Sequence, residues 1–201
     1  ETVQVRPRVC GALPVSGAVA HGRPAPCQDR SVTSTVPMTR THPADEVWTD
    51  PGRGFRRWET SVVLGRRAEV WEWATTQVLR WGVKTRSGFS VEPAAAVARG
   101  DRPVITARPF GLAIREPVEV VDVVETPTRV GFAYRTLPGH PVSGEEAFIV
   151  HQEGGVILLT IRSLTRPAES AGWRLLYPVL LVAQRVARRR YRRALLVRPV
   201  R

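Results

Sequence analysis

The sequence predicts an α+β domain in which a curved antiparallel sheet closes around a long C-terminal helix. Three observations lead to this prediction. A strand pattern is followed at once by one short helical pattern, five β-rich segments then follow with only short turns between them, and the chain closes on a long amphipathic pattern. Short turns favour antiparallel neighbours, so the five segments predict a meander. Its apolar face and the apolar stripe of the last helix must cover each other.

The first two elements are short. Residues 58–64 have the alternating period of a half-buried strand, and Gly65 marks the turn after it. Apolar residues at spacings of three and four then predict one amphipathic helix over residues 66–82, with Gly82 in the C-terminal capping position. The inward residues of the strand are Trp58, Thr60, Val62 and Leu64.

The segments of the meander are rich in Val, Ile, Phe, Tyr and Thr, which are the residues that favour strands. Between them lie sequences such as TPT and EGG, which are typical of turns. The segments span residues 102–110, 116–125, 129–137, 145–152 and 156–165.

A long basic helix is predicted at about residues 170–197. Ser170 is a candidate N-cap, and Pro178 should kink this helix or start it afresh. One apolar stripe runs through Trp173, Leu176, Leu180, Ala183, Ala187, Tyr191 and Ala194. The arginines predicted on the opposite side are Arg185, Arg188, Arg189, Arg192 and Arg193.

The length of 201 residues suits one domain with a substantial core. Residues 1–47 are rich in Pro, Gly, Ser and Thr without a sustained period, so we expect a disordered extension followed by a domain over residues 48–201. All basic residues but Lys84 are arginines, a bias typical of a GC-rich bacterial genome. Nine arginines and no acidic residue fall in 173–201, so most of the net charge of +12 belongs to the C-terminal helix.

Several classes of protein are excluded by features that the predicted domain, residues 48–201, lacks. The two cysteines of the chain lie at positions 10 and 27, before that domain, so the domain has no disulfide framework, and a reducing cytoplasm is favoured. The apolar run at 175–183 is too short to cross a bilayer. We find no phosphate-cradling glycine loop, dinucleotide fingerprint, serine elbow or metal-ligand spacing. We therefore expect no cofactor and no metal.

The connector YRTLPGHPVSGEEAF, residues 134–148, carries the candidate site. His140 stands between two prolines that stiffen its loop. Glu145 and Glu146 follow in the next strand and must point to opposite faces. Glu146 is the inward one if it shares the face of Phe148, whereas a single bulge would turn Glu145 inward instead.

An inward carboxylate in an apolar interior has a raised pKa unless a partner stabilises its charge. A carboxylate paired with imidazole is also the minimal general acid/base arrangement. The structural alternative is that His140 and one glutamate only pin the hairpin. The candidate ligand-binding residues are Tyr134, Arg135, His140, Glu145, Glu146 and Arg166.

Four segments resemble the domain-of-unknown-function family numbered nineteen-ninety over about residues 52–196. They are LGRRAEVWEWATTQVLRWG at 64–82, GFAYRTLPGHPVSGEEAF at 131–148, TRPA at 165–168 and QRVARRRYRRAL at 184–195. The resemblance implies membership of the START-like, polyketide-cyclase-like superfamily and its helix-grip fold. Such domains typically hold an apolar ligand between sheet and terminal helix, and some catalyse reactions there.

Three functions remain open on this evidence. The first is a cytoplasmic, non-enzymatic domain that binds a small apolar or amphipathic molecule, with Tyr134, His140 and one of Glu145 or Glu146 at the polar end. The second is an acid/base enzyme of cyclase or hydrolase type that uses His140 with that glutamate. The third is an adaptor whose basic C-terminal helix docks on nucleic acid or an anionic membrane surface, unless that face is simply solvated.

Overall fold

The fold is α+β, and its strands form one seven-stranded antiparallel sheet. The computed structural model describes residues 39–50 and 52–196, all within the unit Val36–Arg201. The strands are β1 (Arg56–Gly65), β2 (Phe89–Glu92), β3 (Val104–Ala107), β4 (Ile114–Thr126), β5 (Arg129–Thr136), β6 (Val142–Glu153) and β7 (Val156–Pro167). The helices are α1 (Ala68–Val78), α2 (Gly82–Thr85), α3 (Ala171–Leu175) and α4 (Tyr177–Ala194).

The strand order across the sheet is β1-β7-β6-β5-β4-β3-β2. The predicted meander is confirmed from β3 to β7, and β1 joins it as the neighbour of β7. Strand β2 was not predicted, because its four residues, FSVE, are too few to establish a period.

The predicted single helix at 66–82 is wrong at its C-terminal end. Helix α1 ends at Val78, and Gly82 begins α2 rather than capping α1. The left-handed residue is Trp81, with φ of 59°. Gly82 is required for a different reason, since a Cβ atom there would lie 2.6 Å from the carbonyl oxygen of Gln77. The chain therefore turns sharply at Trp81 and directs α2 towards the sheet.

The C-terminal helical segment is divided in two near Pro178. Of the two predicted effects of this proline, a kink or a new start, the structure has the new start. Helix α3 ends at Leu175, and Pro178 occupies the first turn of α4, where a missing N–H costs nothing. Ser170 lies at the N-cap of α3 but makes no side-chain capping bond.

The face of α4 that meets the sheet agrees in part with the predicted apolar stripe. Tyr191, Ala194 and Leu195 are buried in the core, but Leu176 and Ala183 of the predicted apolar stripe are exposed. Arg188, predicted on the solvent side, instead lies over the ring of Trp58 at 4.4 Å and donates to Ser163. The predicted stripe is confirmed at Leu180, Ala187, Tyr191 and Ala194, which are buried or half-buried, and it is wrong at Leu176 and Ala183.

The core lies on one side of the sheet, here called the inner face. Strand residues there pack with α1, α2 and α4 around an aromatic cluster. The ring centroids of Trp81 and Phe132 are 4.7 Å apart, and those of Phe148 and Tyr191 are 5.4 Å apart. These edge-on contacts fix α2 and α4 to the middle of the sheet. None of the described helices is long and apolar enough to span a membrane.

The opposite, outer face is covered in part by residues 39–50, here called the N-terminal strap. We expected residues 39–47 to belong to a disordered extension, yet they contact β6 and β7. Glu145 accepts bonds from the backbone N–H groups of Arg40 and Thr41 at 2.9 and 2.7 Å. Arg162, only 1% exposed, donates to the carbonyl oxygens of residues 41, 42 and 46. The expected disorder of residues 1–38 lies outside the described residues.

Candidate functional site

A buried polar cluster lies at the centre of the inner face. Tyr134 and Glu146 are register partners on β5 and β6, so their side chains lie next to each other. The Tyr134 hydroxyl donates to Glu146 Oε2. The turn at Trp81 brings Lys84 of α2 to the same carboxylate, with Nζ 3.0 Å from Glu146 Oε2. Lys84 Nζ also donates to Tyr191 Oη of α4 at 2.7 Å.

The ammonium of Lys84 is enclosed by aromatic rings. It lies 4.8 Å from the centroid of Tyr191, 5.0 Å from that of Phe89 and 5.2 Å from that of Tyr134. Ring faces attract a cation that has left water. Together with a fourth ring, that of Phe148 at 5.8 Å, these rings, the Glu146 carboxylate and the Tyr191 hydroxyl stabilise one buried positive charge.

The pKa values agree with a charged lysine. Burial alone lowers the pKa of Lys84, but the Glu146 carboxylate and the neighbouring phenols outweigh it and hold that pKa well above its usual range. Burial, followed by the charge of Glu146, raises the pKa of Tyr134. Burial likewise raises the pKa of Tyr191. A protonated amine is not a nucleophile, so the cluster suits hydrogen bonding and charge stabilisation rather than covalent catalysis.

His140 lies at the edge of this cluster. Its Nε2 atom is 4.0 Å from Glu116 Oε2, and its Nδ1 atom accepts a bond from the N–H of Val142 at 3.1 Å. Burial, with a smaller effect of Lys84, lowers the pKa of His140 to about 3. Burial raises the pKa of Glu116, which Lys84 partly offsets. His140 is therefore neutral and accepts a hydrogen bond from the backbone of its own loop.

This burial predicts a pH dependence. The pKa of His140 falls from 6.5 to about 3 on folding, so below pH 6.5 the unfolded chain binds a proton that the folded protein does not. Stability should be lost as the pH falls through this range. We expect urea unfolding to give a free energy about 2 kcal/mol lower at pH 5 than at pH 7 from this group.

The matched variant is His140→Asn, whose Oδ1 atom can still accept from the N–H of Val142. It should remove most of this difference between pH 7 and pH 5. Part will remain, because burial also lowers the pKa of His151. Identical pH profiles for the variant and the wild type would contradict the assignment.

The sequence-predicted residues divide between the two faces of the sheet. Tyr134, Glu146 and His140 lie on the inner side. Glu146 is thus the inward glutamate, and Glu145 points to the outer face, where the strap surrounds its carboxylate. Arg135 and Arg166 are also on the outer side. Arg135 pairs with Glu119 at 2.5 Å, and Arg166 lies over the ring of Phe55 at 4.8 Å.

Sequence reasoning missed three members of the cluster: Lys84, Glu116 and Tyr191. One signal for Lys84 was present, because it is the single lysine in a chain with 29 arginines. A planar guanidinium does not replace a compact ammonium in a buried site, so a single lysine among arginines indicates such a site. Glu116 was not recognised because it is the first residue of a predicted strand, where a charged side chain is common. Tyr191 was assigned to the apolar stripe of the helix.

The cluster continues towards the surface beneath the N-terminal half of α4. Ser163 is the register partner of Glu146 on β7, and it accepts from Arg188 at 3.3 Å. Gln184, one turn earlier, donates to Thr165 at 3.4 Å. The Oε1 atom of Gln184 and the hydroxyl of Tyr177 are buried without a hydrogen-bond partner among the described residues. The inward side chains of the neighbouring strand β1 are only half-buried, whereas those of β7 are buried.

Two cavities lie elsewhere in the described part of the chain. One, of about 220 Å³, is lined by Trp81, Val91 and residues 94–96. The other, of about 240 Å³, lies on the outer face next to Arg135 and Glu145. Its charged groups already have partners, since Arg40 pairs with Asp50, Arg135 with Glu119, and Glu145 with the strap. Both are smaller than typical ligand pockets.

No group of three or more metal-ligating side chains occurs in residues 39–50 and 52–196.

Comparison with known protein families gives a match over most of the chain. A family model described as Domain of unknown function (DUF1990) matches residues 39–194. The UPF0548 protein of Deinococcus radiodurans is 37% identical over 89 residues, which are 44% of this chain and 44% of that protein. The alignment thus spans less than half the length of this curated relative.

Solved structures show weaker similarity. The hypothetical protein jhp0584 of Helicobacter pylori has a TM-score of 0.49 at 10% identity, covering 71% of this chain and 85% of that one. A protein of Arthrobacter aurescens solved by solution NMR has a TM-score of 0.48 at 13% identity, covering 73% and 89%. Protein Ms6760 of Mycobacterium smegmatis has a TM-score of 0.47 at 13% identity, covering 74% and 93%.

Proposed function

The chain belongs to the family described as Domain of unknown function (DUF1990), and from this premise we propose that it binds a small amphipathic acid between the inner face of the sheet and helix α4. The architecture is that of a helix-grip domain of START-like type. We place the binding site beneath the N-terminal half of α4, in a region here called the α4 cleft. It is defined by the contacts of Arg188 with Trp58 and Ser163, by the contact of Gln184 with Thr165, and by the buried hydroxyl of Tyr177.

The observation that carries the proposal is the pair of buried polar atoms without partners, Tyr177 Oη and Gln184 Oε1. A buried hydrogen-bonding group without a partner costs about 1 to 3 kcal/mol, so folded proteins rarely keep one without a reason. Both atoms lie on the side of α4 that faces the sheet, within two turns of each other. A ligand with a polar end would satisfy them.

The charge of the cleft supports an acidic group on that ligand. Arg188 is partly buried, and burial lowers its pKa, yet it has no carboxylate within ion-pair distance among the described residues. An arginine in this situation is a ready partner for a carboxylate. Among the residues that the structure describes, its acceptor is the hydroxyl of Ser163.

The packing of α4 supports an apolar remainder of the ligand. The C-terminal half of the helix is sealed against the core by Tyr191, Ala194 and Leu195. The N-terminal half is not, since Leu180 and Leu181 remain half-buried opposite the half-buried strand β1. An alkyl or ring portion there would complete their burial.

In this proposal the buried cluster forms the inner wall of the site rather than its centre. Tyr134 is 3% exposed and His140 9% exposed, so neither has a free surface for a ligand. Glu146 borders the cleft through its register partner Ser163. The acid/base alternative has less support, because His140 is directed at Glu116 and Val142 instead of at Glu146.

Dodecanoate, used below its micellar concentration, tests this proposal. We expect it to raise the melting temperature in a saturable way, because a ligand at one hundred times its Kd stabilises by about 2.7 kcal/mol. Dodecanol should stabilise less, since it lacks the carboxylate. Arg188→Met should remove the difference between the two probes.

The matched control is Arg189→Met, which removes the same charge from the next, exposed position. It should respond to dodecanoate like the wild type. A lack of saturable stabilisation by either probe, or an equal response of the two arginine variants, would overturn the proposal.

A further inference from the structure

The solvent side of α3 and α4 carries a row of exposed aliphatic side chains, here called the outer stripe. Leu175 is 83% exposed, Val179 64% and Val182 56%. Leu176 and Val186 belong to the same surface, at 47% and 44%. Val179, Val182 and Val186 follow each other at spacings of three and four, so they lie along one line of α4.

This arrangement leaves the N-terminal half of α4 apolar on two sides. Leu180 and Leu181 face the sheet, whereas the three valines of the outer stripe face away from it. A helix that is apolar on both sides is normally covered on both sides. A contiguous row of exposed aliphatic residues is typical of an interaction surface.

Arginines continue and flank the stripe. Arg189 and Arg193 follow Val186 by three and seven residues, so they extend the same line. Arg174, Arg185 and Arg192 are exposed beside it. None of these five has a carboxylate within ion-pair distance in the part of the chain that the structure describes.

We propose that the outer stripe and its arginines dock this protein on an anionic lipid surface, with α4 lying in the plane of the interface. Aliphatic side chains would enter the boundary between head groups and acyl chains, and the arginines would bind lipid phosphates. The inference is independent of the proposed ligand, because that ligand would contact the other side of α4.

The two kinds of side chain together select this partner. A second copy of the chain would bring one arginine row against another, and like charges oppose such a contact. Nucleic acid would bind the arginines but offers no apolar surface to three valines. An anionic lipid surface matches both features, because it offers phosphates to the arginines and acyl chains to the valines.

The test uses the full chain and sedimentation with two kinds of vesicle, phosphatidylcholine alone and phosphatidylcholine mixed with phosphatidylglycerol. We expect binding to the mixed vesicles only, weakened by added salt. The triple variant Val179→Ser, Val182→Ser, Val186→Ser should need at least about ten times more lipid for half binding. Arg185→Gln, Arg189→Gln, Arg193→Gln should show a similar loss.

The matched control removes three arginines elsewhere, as Arg53→Gln, Arg66→Gln, Arg115→Gln, all at exposed positions. It has the same net charge as the second triple variant and should bind like the wild type. All variants change exposed side chains, so their melting temperatures should stay close to that of the wild type.

Four results would overturn the proposal. They are no binding of the wild type to the mixed vesicles, an equal loss in the control, a dimer in solution that the valine variant abolishes, and binding to duplex DNA that the valine variant retains.

Discussion

Replacement of Lys84 by methionine is expected to lower the free energy of unfolding by about 3 to 5 kcal/mol. Methionine fills nearly the same volume but removes the ammonium that lies 3.0 Å from Glu146 Oε2 and 2.7 Å from Tyr191 Oη. The carboxylate of Glu146 is then left in the interior without its counter-ion. Urea unfolding followed by circular dichroism at pH 7 measures the change.

Two further variants separate this explanation from a loss of packing. Arg80→Met, at an exposed position shortly before α2, should change stability by less than about 0.5 kcal/mol. The double variant Lys84→Met, Glu146→Gln should be more stable than the sum of the single effects predicts, by about 1 kcal/mol or more. A Lys84→Met protein as stable as the wild type would contradict the buried ion pair.

Removal of residues 1–47 is expected to destabilise the protein by about 3 to 5 kcal/mol relative to removal of residues 1–38. The two truncated proteins differ by residues 39–47 of the N-terminal strap. Without them Glu145 loses its bonds from Thr39, Arg40 and Thr41, and Arg162 loses three carbonyl acceptors. Both charged groups lie in the sheet and cannot simply turn into water.

Thermal and urea unfolding of the two truncated proteins measure the difference. Arg162→Met in the full chain should give a loss of the same order, because it leaves the same carbonyl groups unpaired. Arg166→Met is the matched control, since Arg166 is an exposed arginine of the same strand, β7. Equal stabilities of the two truncated proteins would show that the strap contributes nothing to the fold.

Much of the fold could be predicted because most of its strands and helices are recognisable from the pattern of a few neighbouring residues. The alternation of Trp58, Thr60, Val62 and Leu64 gave both the strand β1 and the face that it turns inward. The meander followed from turn chemistry and short links. The end of α1 could not be predicted from Gly82, because a glycine required by close approach to Gln77 looks the same in sequence as a glycine that caps a helix.

The candidate site was predicted less completely. Glu145 and Glu146 were correctly expected on opposite faces, but two residues of one strand do not say which face holds the core. The N-terminal strap was missed because its stability comes from bonds to residues about a hundred positions away, and its own composition has no period. Arg188 was assigned to solvent because charged residues of an amphipathic helix are normally exposed, whereas its contacts with Trp58 and Ser163 depend on tertiary packing.

The amino-acid sequence alone determined the α+β class, the order of the elements, the alternation of each strand and the concentration of positive charge in the last helix. These properties depend on neighbours within a few residues, and hydrophobic periodicity records them directly. Only the tertiary structure decided that Lys84 meets Glu146 and Tyr191, that Glu145 belongs to the strap, and that three valines of α4 face solvent. Those outcomes depend on how separate elements pack in space, and the period of a single element carries no record of its partner.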